Sequence, residues 1–475
     1  MSDILWTSDE LSRATQGQCN TTFTVNGLSI DSRTVKPGEL YVSIPGDVHD
    51  GHDFAGKAIT NGAAAVMIAH DTPLPEGAAT LRVSNVMEAL RQLATASRQR
   101  SKAVRLAVTG SVGKTTTKEM LRHVLAAHGT THANAGNFNN HIGAPLTLAR
   151  MPQDSRYGIF ELGMDHAGEI EALSKLVAPE IAVITTIGVA HIAHFPEGQV
   201  GIAKAKAEIF AGLTGAALAV LPRDDAHYGL LATEAQNRGI NNILSFGRHQ
   251  DADAQLMELT HDILVARIQG ETIRFHPPVM GEHMALNMLA TLLAATAAGA
   301  PLASCVTALE GFAALKGRGL QRQVSIGSGT VTVIDDCYNA NPQSMRAALA
   351  VLGDSKATRR VAVLGDMLEL GEMEQDAHAS LTDALEAAHV DQLFCCGTLM
   401  QHLWNVTPPA RQGRWAPTAG ELAADVAAAL QPGDVVLVKG SRGAQVNING
   451  VMSPSMAVIL AAIDARAAER QRHAV

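Results

Sequence analysis

Short unbroken apolar runs alternate along the chain with longer stretches whose apolar residues recur at helical spacing. Runs at 104–108, 157–161, 181–185 and 216–221 read as buried strands, and the stretches after them as helices. In the helical stretch 115–127, Met120, Leu121, Val124 and Leu125 fall on one side. Strand, helix, strand in series predicts a mostly parallel sheet with helices on both faces. Ahead of it, strand-like pieces at 22–25, 40–44, 65–68 and 80–83 are closed off by a helix over 86–100. Behind it, 240–280 reads as more irregular, with alternating patterns at 263–268 and 272–275, and a helix over 283–298 stops at Gly299, where a glycine ends helices well. Residues 311–323, with Lys316-Gly-Arg-Gly319, read as a linker. Strands at 331–335, 361–364, 392–395 and 435–438, with helices between them, repeat the doubly wound pattern. Alanine-rich stretches at 422–430 and 458–468 fit ordinary helices. The predicted fold class is α/β in three domains: a smaller N-terminal α/β domain, 1–100; a central doubly wound, mostly parallel sheet, 101–314; and a C-terminal Rossmann-like α/β domain, 315–475.

Composition narrows the function. The chain has 475 residues, 47% hydrophobic and 17% charged, enough for several cores. A net charge of −9 and a pI near 6.1 argue against nucleic acid as the partner. The first ten residues lack a basic-then-apolar signal, and the longest apolar candidate, 284–300, is broken by Asn287 and Gly299. A cytoplasmic chain that does not insert in a membrane is expected. Five scattered cysteines, Cys19, Cys305, Cys337, Cys395 and Cys396, have no metal spacing. His49 and His52, in a polar turn-rich loop, are expected to be surface residues.

The chemistry starts at Thr109-Gly-Ser-Val-Gly-Lys-Thr115, between the strand at 104–108 and the helix after it. Glycines let backbone N–H groups converge on phosphate oxygens, and the helix N-terminus adds partial positive charge. Lys114 then neutralises the outer phosphates and the Thr115 hydroxyl holds a Mg²⁺. The first glycine of the full phosphate-loop consensus is missing; Val108 stands there. Glu161 and His191 end or follow later strands, where ligands bind in such sheets. Alone, Glu161 serves equally as a helix cap and His191 as a packed residue. Lys204 and Lys206 lie on one helix, and spacing does not separate them.

The motifs taken together cover essentially the whole chain. They are the loop above, Gly136-Asn-Phe-Asn-Asn-His-Ile-Gly143, Glu161-Leu-Gly163, Ala190-His191, Ala203-Lys-Ala-Lys-Ala-Glu-Ile-Phe210, Gly281-Glu-His-Met-Ala-Leu-Asn287, Asp335-Asp-Cys-Tyr-Asn-Ala-Asn-Pro342, Gly365-Asp-Met-Leu-Glu-Leu-Gly371 and Lys439-Gly-Ser-Arg442. The set resembles the Mur ligases, ATP-dependent amide-forming enzymes of peptidoglycan synthesis. The 335–342 and 365–371 strings resemble the branch that adds D-Ala-D-Ala to UDP-MurNAc-tripeptide. An Asp-Asn-Pro-Arg signature of the tripeptide-forming branch is absent.

The resemblance implies the following expectations. Thr109, Gly110, Ser111, Val112, Gly113, Lys114 and Thr115 bind ATP phosphates. Two Mg²⁺ are held, one by Thr115 and Glu161, the other by His191 and a carbamylated Lys206. Lys206 is preferred to Lys204 because it precedes the aromatic Phe210 by four positions, as the family's modified lysine does. Asn287, Arg318 and Asp336 approach the nucleoside. Asp31, Ser32 and Arg33 form the UDP-binding loop; Asn137, Asn139 and Asn140 line the acceptor side; Asn339, Lys439 and Arg442 contact substrate. A monomer is expected. Met284 and Met164-Asp165 depart from the family's usual residues, and 443–449 is unusual. Two other classes are weighed: another ATP-dependent ligase, of the tripeptide-forming or folylpolyglutamate-synthase kind, and a non-catalytic nucleotide switch, which needs no Glu161, His191 and Lys206.

Overall fold

The computed structural model of the chain describes residues 4–46, 48–136, 138–213, 217–441, 443, 445–448 and 451–473. Asn137 and Arg442 lie outside the described residues.

The central sheet has nine strands, in the spatial order Glu271–Phe275, Leu264–Ile268, Ala254–Leu259, Asn242–Gly247, Leu218–Pro222, Ile181–Ile184, Val104–Thr109, Tyr157–Glu161, Thr131–Ala133. The strand leading into the phosphate loop thus lies between the two whose ends carry Glu161 and the approach to His191. These strands are parallel, and Ile181–Ile184 is buried throughout, as a strand covered on both faces requires. Leu106 and Val108 face one core with helices Lys114–Ala126 and Glu282–Ala297; Ala107 faces the other with Ala203 and Phe210. The stretch 240–280 is not irregular. Its four strands extend this sheet, the last two antiparallel, with one side facing solvent so that buried and exposed residues alternate.

The first sheet runs Gln18–Cys19, Thr80–Arg82, Ala65–Ile68, Glu39–Val42, Gly27–Ser29. Helix Gly143–Ala149 of the next block completes its core with Leu146 and Ala149. Trp6 Nε1 donates to Ala149 O at 3.0 Å, and Arg150 Nε to Leu28 O at 2.7 Å. His52 is not a surface residue. It is buried, its Nε2 accepts from Ala69 N at 2.9 Å, and its Nδ1 lies 2.6 Å from Asp50 Oδ1. Both ring nitrogens are therefore committed to fastening the 45–54 loop onto the strand Ala65–Ile68.

The third sheet runs Leu320–Ile326, Gly329–Asp336, Asp434–Lys439, Arg359–Gly365, Gln392–Cys396, Gln412–Ala416, parallel apart from the first pair. The expected linker therefore ends earlier, because 320–323 already belongs to an edge strand. The other three motif strings of the last block all begin at the carboxyl ends of neighbouring parallel strands, Gly329–Asp336, Asp434–Lys439 and Arg359–Gly365.

Candidate active site between the central and third sheets

The phosphate loop is held by what surrounds it. Gly110 and Gly113 have φ of 149° and 89°, the region that favours glycine. A Cβ on Gly110 would lie 1.9 Å from Thr185 Oγ1, and one on Gly113 2.6 Å from Asn287 Oδ1. The absent first glycine of the consensus costs nothing here: Val108 is a fully buried strand residue and the turn begins at Gly110. Lys114 Nζ donates to Gly110 O at 2.6 Å, so its charge rests on the loop. Burial pushes its pKa down, opposed by the charge of Glu161.

Glu161 is 1% exposed. Its carboxylate accepts from Thr115 Oγ1 at 2.8 Å on one oxygen and from Asn139 Nδ2 at 2.8 Å on the other. Its own N–H donates to Asn134 Oδ1 at 2.7 Å. A carboxylate offers about four lone-pair positions, so two remain for a cation at the end of the threonine hydroxyl. Asn134 is fixed in turn by Lys118, buried on the phosphate-loop helix, whose Nζ donates to Asn134 O at 2.8 Å and Gly136 O at 3.1 Å.

Across the loop, His191 sits in a left-handed turn, φ 62°, with Nδ1 2.6 Å from Glu369 Oε2 and 3.5 Å from Asp165 Oδ1. Nδ1 is buried without an aligned hydrogen bond. Burial lowers the imidazole pKa, against the pull of Glu369. Lys206 is 2% exposed, and its amine has no hydrogen-bond partner among the described residues. Burial first, and the Lys114 charge second, hold its pKa well below the lysine range. Lys204, by contrast, is half exposed and pairs with Glu197 at 2.6 Å.

The third sheet supplies the opposite wall. Lys439 Nζ, buried, donates to Asp336 Oδ2 at 2.6 Å and Asn339 O at 3.0 Å. Arg318 lies over the Tyr338 ring, 4.1 Å from its centre. Asn341 caps helix Pro342–Asp354, with proline at its first position. Together with the phosphate loop, Glu161, His191 and Asn287, these residues line a cleft of about 350 Å³.

The chain matches the Mur ligase middle domain over residues 108–295, the Mur ligase glutamate ligase domain over 321–442 and the Mur ligase family catalytic domain over 24–98. It is 33% identical over 450 residues to UDP-N-acetylmuramoyl-tripeptide–D-alanyl-D-alanine ligase of Rickettsia prowazekii, covering 94% of this chain and 98% of that one. To the Bacillus subtilis enzyme of the same name it is 34% identical, covering 79% and 80%. A crystal structure of MurF from Acinetobacter baumannii superposes with a TM-score of 0.82 at 29% identity, covering 97% and 99%. The chain belongs to this Mur ligase family.

In this Mur ligase the cleft collects most of the expected residues. Ser111 to Thr115, Asn139, Asn140, Glu161, His191, Asn287, Arg318, Asp336, Asn339 and Lys439 all line it. Asn140 spends its side-chain oxygen on Ile142 N and Gly143 N. Asp31, Ser32 and Arg33 do not line the cleft. Ser32 is buried, and Arg33 grips its own neighbour Asp31 through Nε at 2.9 Å and a second nitrogen at 2.7 Å. Met284, an expected departure, also lines the cleft and is 7% exposed. Sequence reasoning missed Glu369, Asp165 and Lys118. Glu369 stands inside a quoted motif, and that was its only signal; Asp165 was marked only as a departure from the family's residues, and nothing local marks Lys118.

Proposed function

We propose the following division of labour for this ligase, an ATP-dependent amide ligase that joins D-Ala-D-Ala to UDP-MurNAc-tripeptide in peptidoglycan synthesis. Residues 1–100 bind the UDP end, with Asp31, Ser32 and Arg33 in the loop that meets it. Residues 101–314 bind ATP, and residues 315–475 close on the nucleotide and bind the dipeptide. The tripeptide carboxylate attacks the γ-phosphorus of ATP, and ADP leaves. The dipeptide amine then attacks the acyl carbon, and phosphate leaves.

Lys114, released from Gly110 O, stabilises charge that builds on the transferred phosphoryl oxygens. Asn139 fixes Glu161 and so the end of the acceptor side. Asn287, Arg318 and Asp336 face the nucleoside, and Lys439 and Asn339 face the incoming dipeptide. The acyl phosphate hydrolyses in water, so the third block must cover the cleft during the reaction.

The donor set fits two Mg²⁺. Thr115 and Glu161 offer oxygens at one position. At the other, His191 offers a nitrogen and Lys206 an amine whose pKa burial lowers; the neutral amine is the form that adds CO₂ to give a carbamate oxygen, releasing a proton. Bound there, the metals would supply charge neutralisation on the phosphates. A monomer working in the cytoplasm, where ATP and a UDP-linked precursor are at hand, completes the reading.

The observation that carries this reading is the convergence of the phosphate loop, Glu161, His191, the third-sheet string at 335–342 and Lys439 on one cleft. The test is phosphate release with ATP and UDP-MurNAc-tripeptide. Release is expected only when D-Ala-D-Ala is present, with the pentapeptide product formed in equal amount. Release supported by a single amino acid, or by no acceptor, overturns it.

A further inference from the structure

The loop 365–371 has no role in the scheme above, yet the structure fastens it with unusual care. Met367 N donates to His378 Nε2 at 2.9 Å, and Leu368 N to Ser441 Oγ at 3.1 Å. Asp366 Oδ1 caps the helix Met400–Val406 by accepting from Met400 N at 2.8 Å. The loop so held projects Glu369 out of the third block, 56% exposed, across the domain boundary to His191. Glu369 has φ 64° and His191 φ 62°. Only a few per cent of non-glycine residues adopt that backbone conformation. Here two of them meet, one from each block, with a carboxylate oxygen 2.6 Å from a ring nitrogen. The nitrogen is buried and as placed lacks an aligned hydrogen bond; of the two carboxylates that face it, Glu369 is the nearer and Asp165 Oδ1 stands at 3.5 Å.

A histidine that binds a metal through one ring nitrogen is held by a carboxylate or carbonyl on the other, which fixes both its tautomer and its direction. We infer that Glu369 is the positioning residue for His191, delivered by the C-terminal block, so that the second metal position is complete only when that block has closed. This inference rests on the assignment of His191 as a metal ligand. Its consequence is that metal binding and closure strengthen each other, and the acyl phosphate forms only in a covered cleft. Glu369 touches neither phosphate nor nucleoside in this role; it acts through the imidazole.

The test uses the full chain with ADP bound and Mn²⁺ as the probe, its affinity read by electron paramagnetic resonance. Glu369→Gln is expected to weaken Mn²⁺ binding by roughly tenfold to a hundredfold, the range for losing such a partner. kcat should fall in parallel while ADP affinity without metal stays constant. Glu369→Gly separates charge from backbone, since glycine adopts φ 64° more readily than glutamate. A merely structural role predicts no loss of Mn²⁺ affinity in that variant; the inference predicts the same loss as in Glu369→Gln. The exposed neighbour Glu372→Gln should bind Mn²⁺ as wild type does. If His191→Ala weakens Mn²⁺ binding and the Glu369 variants do not, the inference is overturned while the metal assignment stands. If His191→Ala also binds Mn²⁺ normally, both fall.

Discussion

Two lysines two positions apart, on opposite sides of one helix, show what the fold adds at the scale of the residue. Spacing did not separate Lys204 from Lys206, and only the resemblance favoured one. In the structure Lys204 reaches solvent and pairs with Glu197, while Lys206 is buried beside Lys114 and His191. Unpaired burial of a lysine is costly, which marks a position kept for chemistry. Lys206→Ala is expected to be nearly inactive, with partial rescue by acetate or formate, which replace the missing carbamate oxygen; Lys204→Ala should stay close to wild type. A steady-state assay with and without the added acid reads both. Stability should move the opposite way. Burial disfavours the Lys206 ammonium, so its folded pKa lies below the unfolded one and folding releases a proton. The penalty is full below the folded pKa and shrinks as pH rises into the ordinary lysine range. In CO₂-free, metal-free buffer Lys206→Met should therefore unfold at a higher temperature than wild type, with the gain fading as pH rises toward about 10. A lower melting temperature for Lys206→Met at neutral pH contradicts the burial argument.

Elements were legible where a strand is covered on both faces. The runs ending at Thr109, Glu161 and Ile184 lie at the middle of the central sheet, and apolar runs cannot be placed elsewhere. In 240–280 the alternation at 263–268 and 272–275 marked two strands, while Ala254–Leu259 was hidden by the bulge between Leu256 and Glu258. The candidate site was legible where a motif sits on one strand end, as Thr115 and Glu161 do. It was hidden where partners come from different blocks, as with His191 and Glu369. The far end of the third sheet shows a purely structural device. Arg359 grips Asp434 through Nε at 3.0 Å and a second nitrogen at 2.7 Å, tying two central strands at the edge away from the cleft. Asp434 is 2% exposed, so removing its charge strands a guanidinium. Asp434→Asn is expected to cost about 3 kcal/mol. Denaturant unfolding followed by the fluorescence of Trp404 and Trp415, both in this block, measures it. kcat at 25 °C should be unchanged, because no cleft residue touches the pair.

Over the whole molecule the two domain boundaries differ in kind. The first block shares a core with helix Gly143–Ala149 and is pinned by Trp6 and Arg150, an apolar junction that stays shut. The third block meets the second through His191 to Glu369, Gln343 Nε2 to Thr186 Oγ1 at 3.3 Å and an apolar contact of Val189 with the third block's core, around a cleft that the substrates must enter. Polar interfaces of this kind open readily. The chain between them passes Gly317 and Gly319, φ 77° and 78°, after the exposed Lys316. That segment is bound to the third block. Gly317 N donates to Asp335 Oδ2 at 2.9 Å and Gly319 N to Asp335 O at 2.8 Å. Trypsin can cut after Lys316 only when this backbone lifts off Asp335, so the cutting rate reports release of the joint that block movement must bend. A nucleotide that spans the cleft binds the closed form alone and lowers the open population by the factor 1 + [L]/Kd. At a hundred times Kd, an ATP analogue with Mg²⁺ should slow cleavage after Lys316 about a hundredfold. Lys114→Ala should lose most of that protection, since its nucleotide is held without the phosphate contact. Cleavage at an unchanged rate in the presence of nucleotide would place the moving joint elsewhere in the chain.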